Sequence, residues 1–304
     1  MLASRPERPL RLAARAAPAS FSLRPQRAPG DMAAQAAVAG LFRLIMPLLT
    51  QTATWRDPRA RLAPQTIVAF AHKRDLDVPA LVATLLGPTV WPRWLGRVTF
   101  AGSEHLFLDG FLGLYFPQLG RPLRRLLYPT NLRPVLRALR IVPLGSTGVQ
   151  MVAEWIDGLR TIYPDDTPLS AVLSSEGLAL ARATGVEPPV TLAGVRRWRH
   201  ERLLTIQTGH KLLNAAALGR LQFAQARSAP ARLQAVTAAL QAGGLLVLAP
   251  EGQLSPDGAL QPLRSGLNRL LRAVPDAHVL PVASTYDLLA EGRRPRLFLS
   301  VDPP

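Results

Sequence analysis

The residues of this chain that can do chemistry fall in two short segments. His72 comes directly after an apolar run, TIVAFA, and Asp77 stands five positions later in HKRDLD. A carboxylate about one helical turn from an imidazole can accept its Nδ1–H. That fixes the tautomer and leaves Nε2 to remove a proton, which is the chemistry of a general base. Asp75 is a rival partner by proximity, and a lone His–Asp pair also fits a purely structural role. The second segment is Pro250-Glu251-Gly252, directly after LLVLA. Read alone, this tripeptide is a turn. The chain has five histidines, His72, His105, His200, His210 and His278, and no cysteine. A thiol nucleophile, a disulfide and a thiolate metal site are therefore excluded. His72 and Asp77 have no evident metal-ligand companions, so no metal is expected.

Both segments follow predicted buried strands. Thr66–Ala71 is short, apolar and rich in β-branched residues, and Leu245–Ala249 is a continuous apolar run. VPALVATLLG reads as a helix closing at Gly87 and Pro88. Further strands are expected at Arg97–Ala101, Ile141–Leu144, His278–Thr285 and Arg296–Asp302. ARLQAVTAALQAGG and LRSGLNRLLRA read as amphipathic helices, with PEGQLSPDG a loop before the second. Strands alternating with helices predict an α/β fold with a mostly parallel central sheet flanked by helices. In such sheets ligands bind beyond the carboxyl ends of the strands, so His72, Asp77, Glu251 and Gly252 are expected to converge on one crevice. From about 145 to 230 strand signals are sparse, and a helical insertion is expected. It holds the basic, aromatic cluster Arg196, Arg197, Trp198, Arg199 and His200. That cluster suits a lipid headgroup region and equally a solvated helix face or loop.

At 304 residues, 48% of them hydrophobic, the chain can bury a sizeable core. Lys and Arg number 36 against 20 acids, a formal charge of +16. Such an excess favours anionic partners, among them phospholipid headgroups, nucleic acid and phosphorylated substrates. The alternative reading of part of the excess is a GC-rich genome, which favours Arg, Ala, Leu and Pro. Aromatics are only 6% and no nucleic-acid motif is present, which counts against a nucleic-acid partner. Residues 1–30 read as a disordered basic arm with no secretory signal. Residues 31–55 contain the longest apolar stretch, AAQAAVAGLFRLIMPLLTQT. It is about spanning length, but Gln35, Arg43 and Pro47 interrupt it. A membrane-interfacial helix is the expectation, with an ordinary docking helix as the alternative. The rest, 56–304, reads as one α/β domain carrying the insertion.

TIVAFAHKRDLDVPALVATL resembles the first signature block of the glycerolipid acyltransferase superfamily, the lysophosphatidate and glycerol-3-phosphate acyltransferases. That block is an apolar strand, HxxxxD, then an apolar helix. GGLLVLAPEGQLSPDGALQPLRSGLNRLL resembles the block that carries Phe-Pro-Glu-Gly-Thr, and HVLPVASTYD resembles the final strand block with its late proline, here Pro281. The resemblance covers about 64–110 and 232–287, and the three blocks stand in the family's order. It implies His72 as catalytic base, Asp77 as its partner, and Glu251 and Gly252 as part of the acceptor site. The family's Thr-Arg after Glu-Gly is Gln253-Leu254 here, so one phosphate-binding cation is missing; Arg264 is the candidate replacement. Arg74 stands where the family has Ser. Lys73 and Arg74 are then candidates to meet an acceptor phosphate or the phosphates of coenzyme A. The family's second block is not clear, and Arg220 and Arg227 are candidates for its arginine by distance alone.

The resemblance implies transfer of a fatty acyl group from acyl-CoA or acyl carrier protein, as co-substrate, to a hydroxyl of glycerol-3-phosphate or a lysophospholipid, with no cofactor. It also implies a peripheral or monotopic protein on an anionic membrane surface, at the cytoplasmic face. No oligomeric state is implied. The competing readings are an inactive membrane adaptor with the same fold and a basic nucleic-acid-binding protein.

Overall fold

The computed structural model describes residues 23, 26–74, 76–85, 91–116, 118–144, 150–187, 189–208, 210–252, 259, 261–287 and 295–302. Asp75, Gly87, Pro88, Gln253 and Leu254 lie outside the described residues, as do most of the N-terminal arm and the side chain of His210. The first elements are α1 (Pro29–Leu49), β1 (Gln51–Arg56), β2 (Thr66–Phe70), α2 (Asp77–Leu85), α3 (Trp91–Trp94) and β3 (Val98–Ser103). Next come α4 (Phe111–Tyr115), α5 (Arg121–Leu127), α6 (Arg133–Ala138), β4 (Ile141–Leu144), β5 (Gln150–Met151) and α7 (Val152–Arg160). They are followed by α8 (Ser175–Ala183), α9 (Leu192–Val195), α10 (Glu201–Leu204), β6 (Gln207–Thr208) and α11 (Ala215–Gln241). The chain closes with β7 (Leu245–Leu248), α12 (Ser265–Ala273), β8 (His278–Asp287) and β9 (Arg296–Val301).

Seven strands form one sheet in the order β1-β9-β8-β2-β7-β3-β4. Every neighbouring pair is parallel except β8 and β9. This is the mostly parallel α/β fold that the strand and helix alternation predicts. The central strands β2 and β7 are apolar on both faces because helices cover both. On one face Val68, Leu245 and Val247 pack with Ala39 of α1 and Ala80 and Leu81 of α2. On the other, Ile67, Leu246 and Leu248 pack with Leu240 of α11 and Leu270 of α12. Toward the far edge burial alternates along β8 and β9, and β1 is exposed along its whole length.

The segment between β5 and the first half of α11 is helical, apart from the short antiparallel β5–β6 pair. It has its own core, built on Trp155, Ile156, Leu159, Leu192 and Leu213. Asn214 opens α11 by accepting the Ala217 N–H, and the helix then runs through Pro230. Arg196, expected at a headgroup region or on a solvated face, does neither. It is ion-paired with Asp157 at 2.8 Å and bonded to the backbone oxygen of Asp109 and to Tyr128 Oη. Its neighbour Trp198 packs on Tyr128, with Arg124 over the indole ring. This part of the cluster is internal cement between the helical segment and the α5 region. Arg220 and Arg227 lie against Tyr163 and Phe223.

Glu154, in the first turn of α7, accepts the Met151 N–H at 3.0 Å. Burial pushes its carboxyl up to about 7, helped by the nearby Asp157 charge and opposed by the Met151 bond. A carboxyl raised in the folded state keeps its proton while the unfolded chain gives one up. Stability therefore falls as pH rises from about 4.5 to about 7, and is level above that. Glu154→Gln keeps an acceptor for Met151 and removes the ionisation. It should be near neutral at pH 4.5 and stabilising by roughly 3 kcal/mol at pH 8, as read by thermal unfolding at the two pH values.

Candidate active site

The parallel register brings the two segments together. Ala69 of β2 lies opposite Leu248 of β7. Three residues further along each strand direction, His72 and Glu251 leave the sheet at the same level. On the other side Phe70 is opposite Val282 of β8. β8 continues well past the end of β2, so Ser284 and Tyr286 flank the loop that carries His72. Ser284 Oγ donates to the Ala71 carbonyl at 3.3 Å. Pro281, which lacks a ladder N–H, sits opposite Ala69.

Asp77 organises this loop. It is the first residue of α2, and its backbone N–H donates to the Arg74 carbonyl at 3.0 Å. Its carboxylate turns back toward the strand end. Oδ2 accepts the backbone N–H groups of Lys73 and Arg74 at 2.6 and 2.7 Å, and faces His72 Nδ1 at 3.4 Å. Oδ1 accepts the Tyr286 hydroxyl at 2.7 Å. The Asp77 side chain is 2% exposed, while His72 is open at 24%. Burial by itself would raise the Asp77 carboxyl. The bonds from His72, the Arg74 N–H, Tyr286 and the Lys73 N–H outweigh it and hold the group below the usual carboxylate range. With Nδ1 turned to an ionised carboxylate, Nε2 carries the lone pair. The Phe70 ring meets the imidazole edge-on at 5.5 Å and limits its rotation.

Glu251 is 1% exposed at the end of β7. Burial raises its carboxyl. The Gln261 N–H and the charges of His72 and Lys73 oppose that, and Asp77 adds to it. These couplings bring His72, Lys73, Asp77 and Glu251 into one electrostatic neighbourhood. Gly252 has φ +69°, a conformation that favours glycine, and an added Cβ would come within 3.2 Å of Arg264 Cγ. Arg264 folds beneath this turn: its backbone N–H donates to the Pro250 carbonyl at 2.8 Å and its Nε to the Glu251 carbonyl at 3.2 Å. Arg264 thus lies at the Glu-Gly turn, just ahead of α12. Arg74 contributes its backbone N–H to Asp77 and has an exposed side chain.

Tyr286 and Ser284 belong to this site and were not singled out in the sequence. The signal available was β8's alternation, which puts Leu280, Val282, Ser284 and Tyr286 on one face. Three of the other histidines have described side chains. His105 Nδ1 shares a bond with Ser103 Oγ at 2.7 Å, and its ring stacks on Phe111 and Tyr115. His200 is buried and accepts from Arg199 Nε, and His278 is exposed at the start of β8. Among the described residues no group of three His, Cys, Asp or Glu side chains comes together to hold a metal ion.

No protein-family model matches the chain, and no curated protein matches it. Among solved structures it is similar to the 1-acyl-sn-glycerophosphate (LPA) acyltransferase PlsC from Thermotoga maritima. The match has 13% identity and a TM-score of 0.42, and covers 93% of this chain and 73% of that one.

Proposed function

We propose that the chain is an acyltransferase that moves a fatty acyl group from acyl-CoA or acyl carrier protein to a hydroxyl of glycerol-3-phosphate or a lysophospholipid. The observation that carries this is the dyad at the end of β2. An open imidazole is backed by a buried, ionised Asp77 and set level with Glu251 of the second signature block. In the proposed step, His72 Nε2 takes the proton of the acceptor hydroxyl as its oxygen attacks the thioester carbonyl. Asp77 stabilises the imidazolium that forms. When the tetrahedral intermediate collapses, the C–S bond breaks and the imidazolium returns its proton to the departing thiolate. The substrate oxygen does what Ser does in a hydrolase, so no acyl-enzyme is needed. The backbone N–H groups just after His72 are the obvious oxyanion donors by position, but Lys73 and Arg74 give theirs to Asp77. The Lys73 and Arg74 side chains are left as the cations at hand for the oxyanion or a substrate phosphate.

Membrane attachment fits the two halves of α1. The first half is tied into the domain: Gln35 Nε2 donates to the Val98 and Leu139 carbonyls, its Oε1 accepts the Gly96 N–H, and buried Asp31 faces buried Arg140. The second half exposes Leu41, Leu44, Leu48 and Leu49. The helix is long and apolar enough to cross a membrane by length and composition. Crossing as a span would strand the Asp31–Arg140 pair and the Gln35 bonds, at a cost of several kcal/mol. A helix lying in the interface keeps them. The cytoplasmic face follows from where the thioester donors are found.

The test is an acyl-transfer assay on the purified full chain, with acyl-CoA and either glycerol-3-phosphate or a lysophospholipid, reading thiol release against ester formed. Equal amounts of the two, dependent on acceptor, are expected. No transfer to any acceptor moves the reading to an inactive adaptor. Arg264→Ala should raise KM for a phosphorylated acceptor about tenfold with kcat within about twofold, the pattern of a lost ground-state contact. An unchanged KM would remove Arg264 from the acceptor site.

A further inference from the structure

Between Asp109 and Glu154 the chain has six arginines and no acid. Most of this stretch is the connection from β3 to β4, which holds α4, α5 and α6. Three of the arginines meet acids. Arg121 pairs with Glu201 at 2.8 Å, Arg133 with Asp109 at 3.7 Å, and buried Arg140 with buried Asp31. Among the described residues no acid pairs with Arg124, Arg125 or Arg137, and the last two are exposed. The outer surface of this connection therefore carries an excess of positive charge.

The two helices share a pattern. Arg-Pro-Leu-Arg-Arg opens α5 and Arg-Pro-Val-Leu-Arg opens α6, with the proline in the first turn, where a helix tolerates it. Arginines four apart lie on one side of a helix. Arg121 and Arg125 thus flank Leu123, and Arg133 and Arg137 flank Val135. Leu126, three residues after Leu123, is 71% exposed, Val135 is 50% exposed, and Phe116 is exposed just ahead of α5. The inner sides are occupied. Arg124 donates to the Gly113 carbonyl and lies over the Trp198 ring, Tyr128 packs on the same ring, and Leu136 is buried. A single exposed leucine is ordinary. Several in neighbouring short helices, interleaved with arginines, have the composition of a segment that lies in a lipid interface.

The charge calls for an anionic partner, and two observations select a leaflet. The exposed apolar residues of α5 and α6 are Leu and Val, which give a base no ring to stack on. The end of α6 is also fastened to α1: Gln35 Nε2 donates to the Leu139 carbonyl and Asp31 faces Arg140. α1 is the helix that exposes Leu41, Leu44, Leu48 and Leu49.

We infer that α5 and α6 form a second membrane contact, which reads the negative charge of the leaflet on which α1 lies. Leu123, Leu126 and Val135 enter the boundary of headgroups and acyl chains, and Arg125 and Arg137 reach back to the lipid phosphates. This rests on the proposal that α1 lies on a membrane, and it adds the lipid class and the residues that select it. Phe100 of β3 is opposite Val247 of β7, so Ser103, where the connection leaves β3, is level with Pro250 beside Glu251. Docking of this surface holds the crevice end of the sheet at the leaflet.

The experiment is co-sedimentation of the full chain with phosphatidylcholine vesicles, with and without phosphatidylglycerol. The variants are the double change Arg125→Gln with Arg137→Gln, Leu126→Ala, and Leu44→Glu. The control is Arg269→Gln with Arg272→Gln on α12, which packs on the opposite face of the sheet from α1. Loss of Arg125 and Arg137 should weaken binding to the anionic vesicles by about 30-fold, about fivefold for each arginine. Binding to phosphatidylcholine alone should stay within about twofold. Leu126→Ala should weaken binding to both kinds of vesicle by about fivefold. The control removes the same charge and should change anionic binding by less than about threefold, because charges beyond a screening length from the lipid contribute little. Leu44→Glu should release the protein from both. Matched unfolding midpoints establish that the variants fold. If Arg125→Gln with Arg137→Gln binds as tightly as the parent, the inference is overturned, and the reading of α1 stands provided Leu44→Glu still releases the protein. Equal losses from the two double variants would make the effect one of net charge and also overturn it. A parent that binds neither vesicle overturns both readings. Binding of a DNA duplex or of acyl carrier protein that falls in the Arg125 and Arg137 variant, with vesicle binding unchanged, would give the surface another occupant and overturn the lipid assignment.

Discussion

Replacing His72 by alanine should lower kcat for acyl transfer by about 10²–10⁴-fold while leaving KM for both substrates within a few-fold. The size follows from the step the imidazole is proposed to take. An alcohol at neutral pH is almost wholly protonated, and its attack on a thioester needs the proton removed as the C–O bond forms. His72 is placed for that: its Nδ1 faces Asp77, which leaves Nε2 for the acceptor, and the side chain is 24% exposed. The fold should survive the change. His72 lies just beyond β2, and the loop is pinned by the Lys73 and Arg74 backbone bonds to Asp77, which do not need the imidazole. The measurement is steady-state kinetics with thiol release, beside the unfolding curve of the variant. A variant within fivefold of the parent in kcat would remove His72 as the base. A variant with a normal kcat and a much higher KM would make His72 a binding residue.

How much of this arrangement is legible in the sequence depends on the physics at each point. β2 and β7 are legible because a strand buried on both faces must be apolar throughout, and both are short runs ended by polar residues. Given those two strands and a parallel sheet, the meeting of His72 with Glu251 follows. β1 is not legible. All six of its residues are exposed and it carries no alternation, so Gln51–Trp55 read as the tail of the apolar helical segment 31–55, whereas the helix ends at Leu49. β1 is a strand only because β9 supplies the pairing partner. α11 reads as two segments because Pro230 removes an N–H from the helix ladder, yet packing on both sides carries the helix through. Tyr286 escapes because an aromatic residue on an apolar strand looks like core. What makes it part of the site is the length of β8 beyond β2, a tertiary fact. Arg196 misleads in the other direction: a basic, aromatic cluster suggests a surface, while its partners Asp157, Asp109 and Tyr128 lie far away in the chain.

Asp77→Asn should do more damage than a simple loss of charge. The carboxylate Oδ2 accepts two backbone N–H groups at 2.6 and 2.7 Å and faces His72, while Oδ1 accepts from Tyr286. An amide offers one acceptor atom in place of two and sets an NH₂ against a donor on the other side. With the NH₂ toward the loop both backbone bonds are lost; with the NH₂ toward Tyr286 that bond survives only with its direction reversed, the phenol oxygen accepting. The expected result is a fall in kcat of about 10³-fold or more, by analogy with removing the orienting carboxylate of a catalytic triad, together with a lower unfolding midpoint. Tyr286→Phe separates the two effects. It deletes one bond to a charged group in a buried place, which costs about 1.5–3 kcal/mol of stability, and it keeps the backbone bonds that shape the loop. Its kcat should fall by about tenfold or less. The pH dependence carries the sign. Asp77 is held below the usual carboxylate range, so its stabilising contribution is complete above the unfolded pKa near 3.8 and is lost as pH falls through the lower folded value. Tyr286→Phe removes one of the bonds that hold it down, so the acid limb of unfolding should move to higher pH. If the limb stays where the parent has it, and kcat is unchanged, Tyr286 does not position Asp77. The buried carboxylate would then be set by the loop backbone alone.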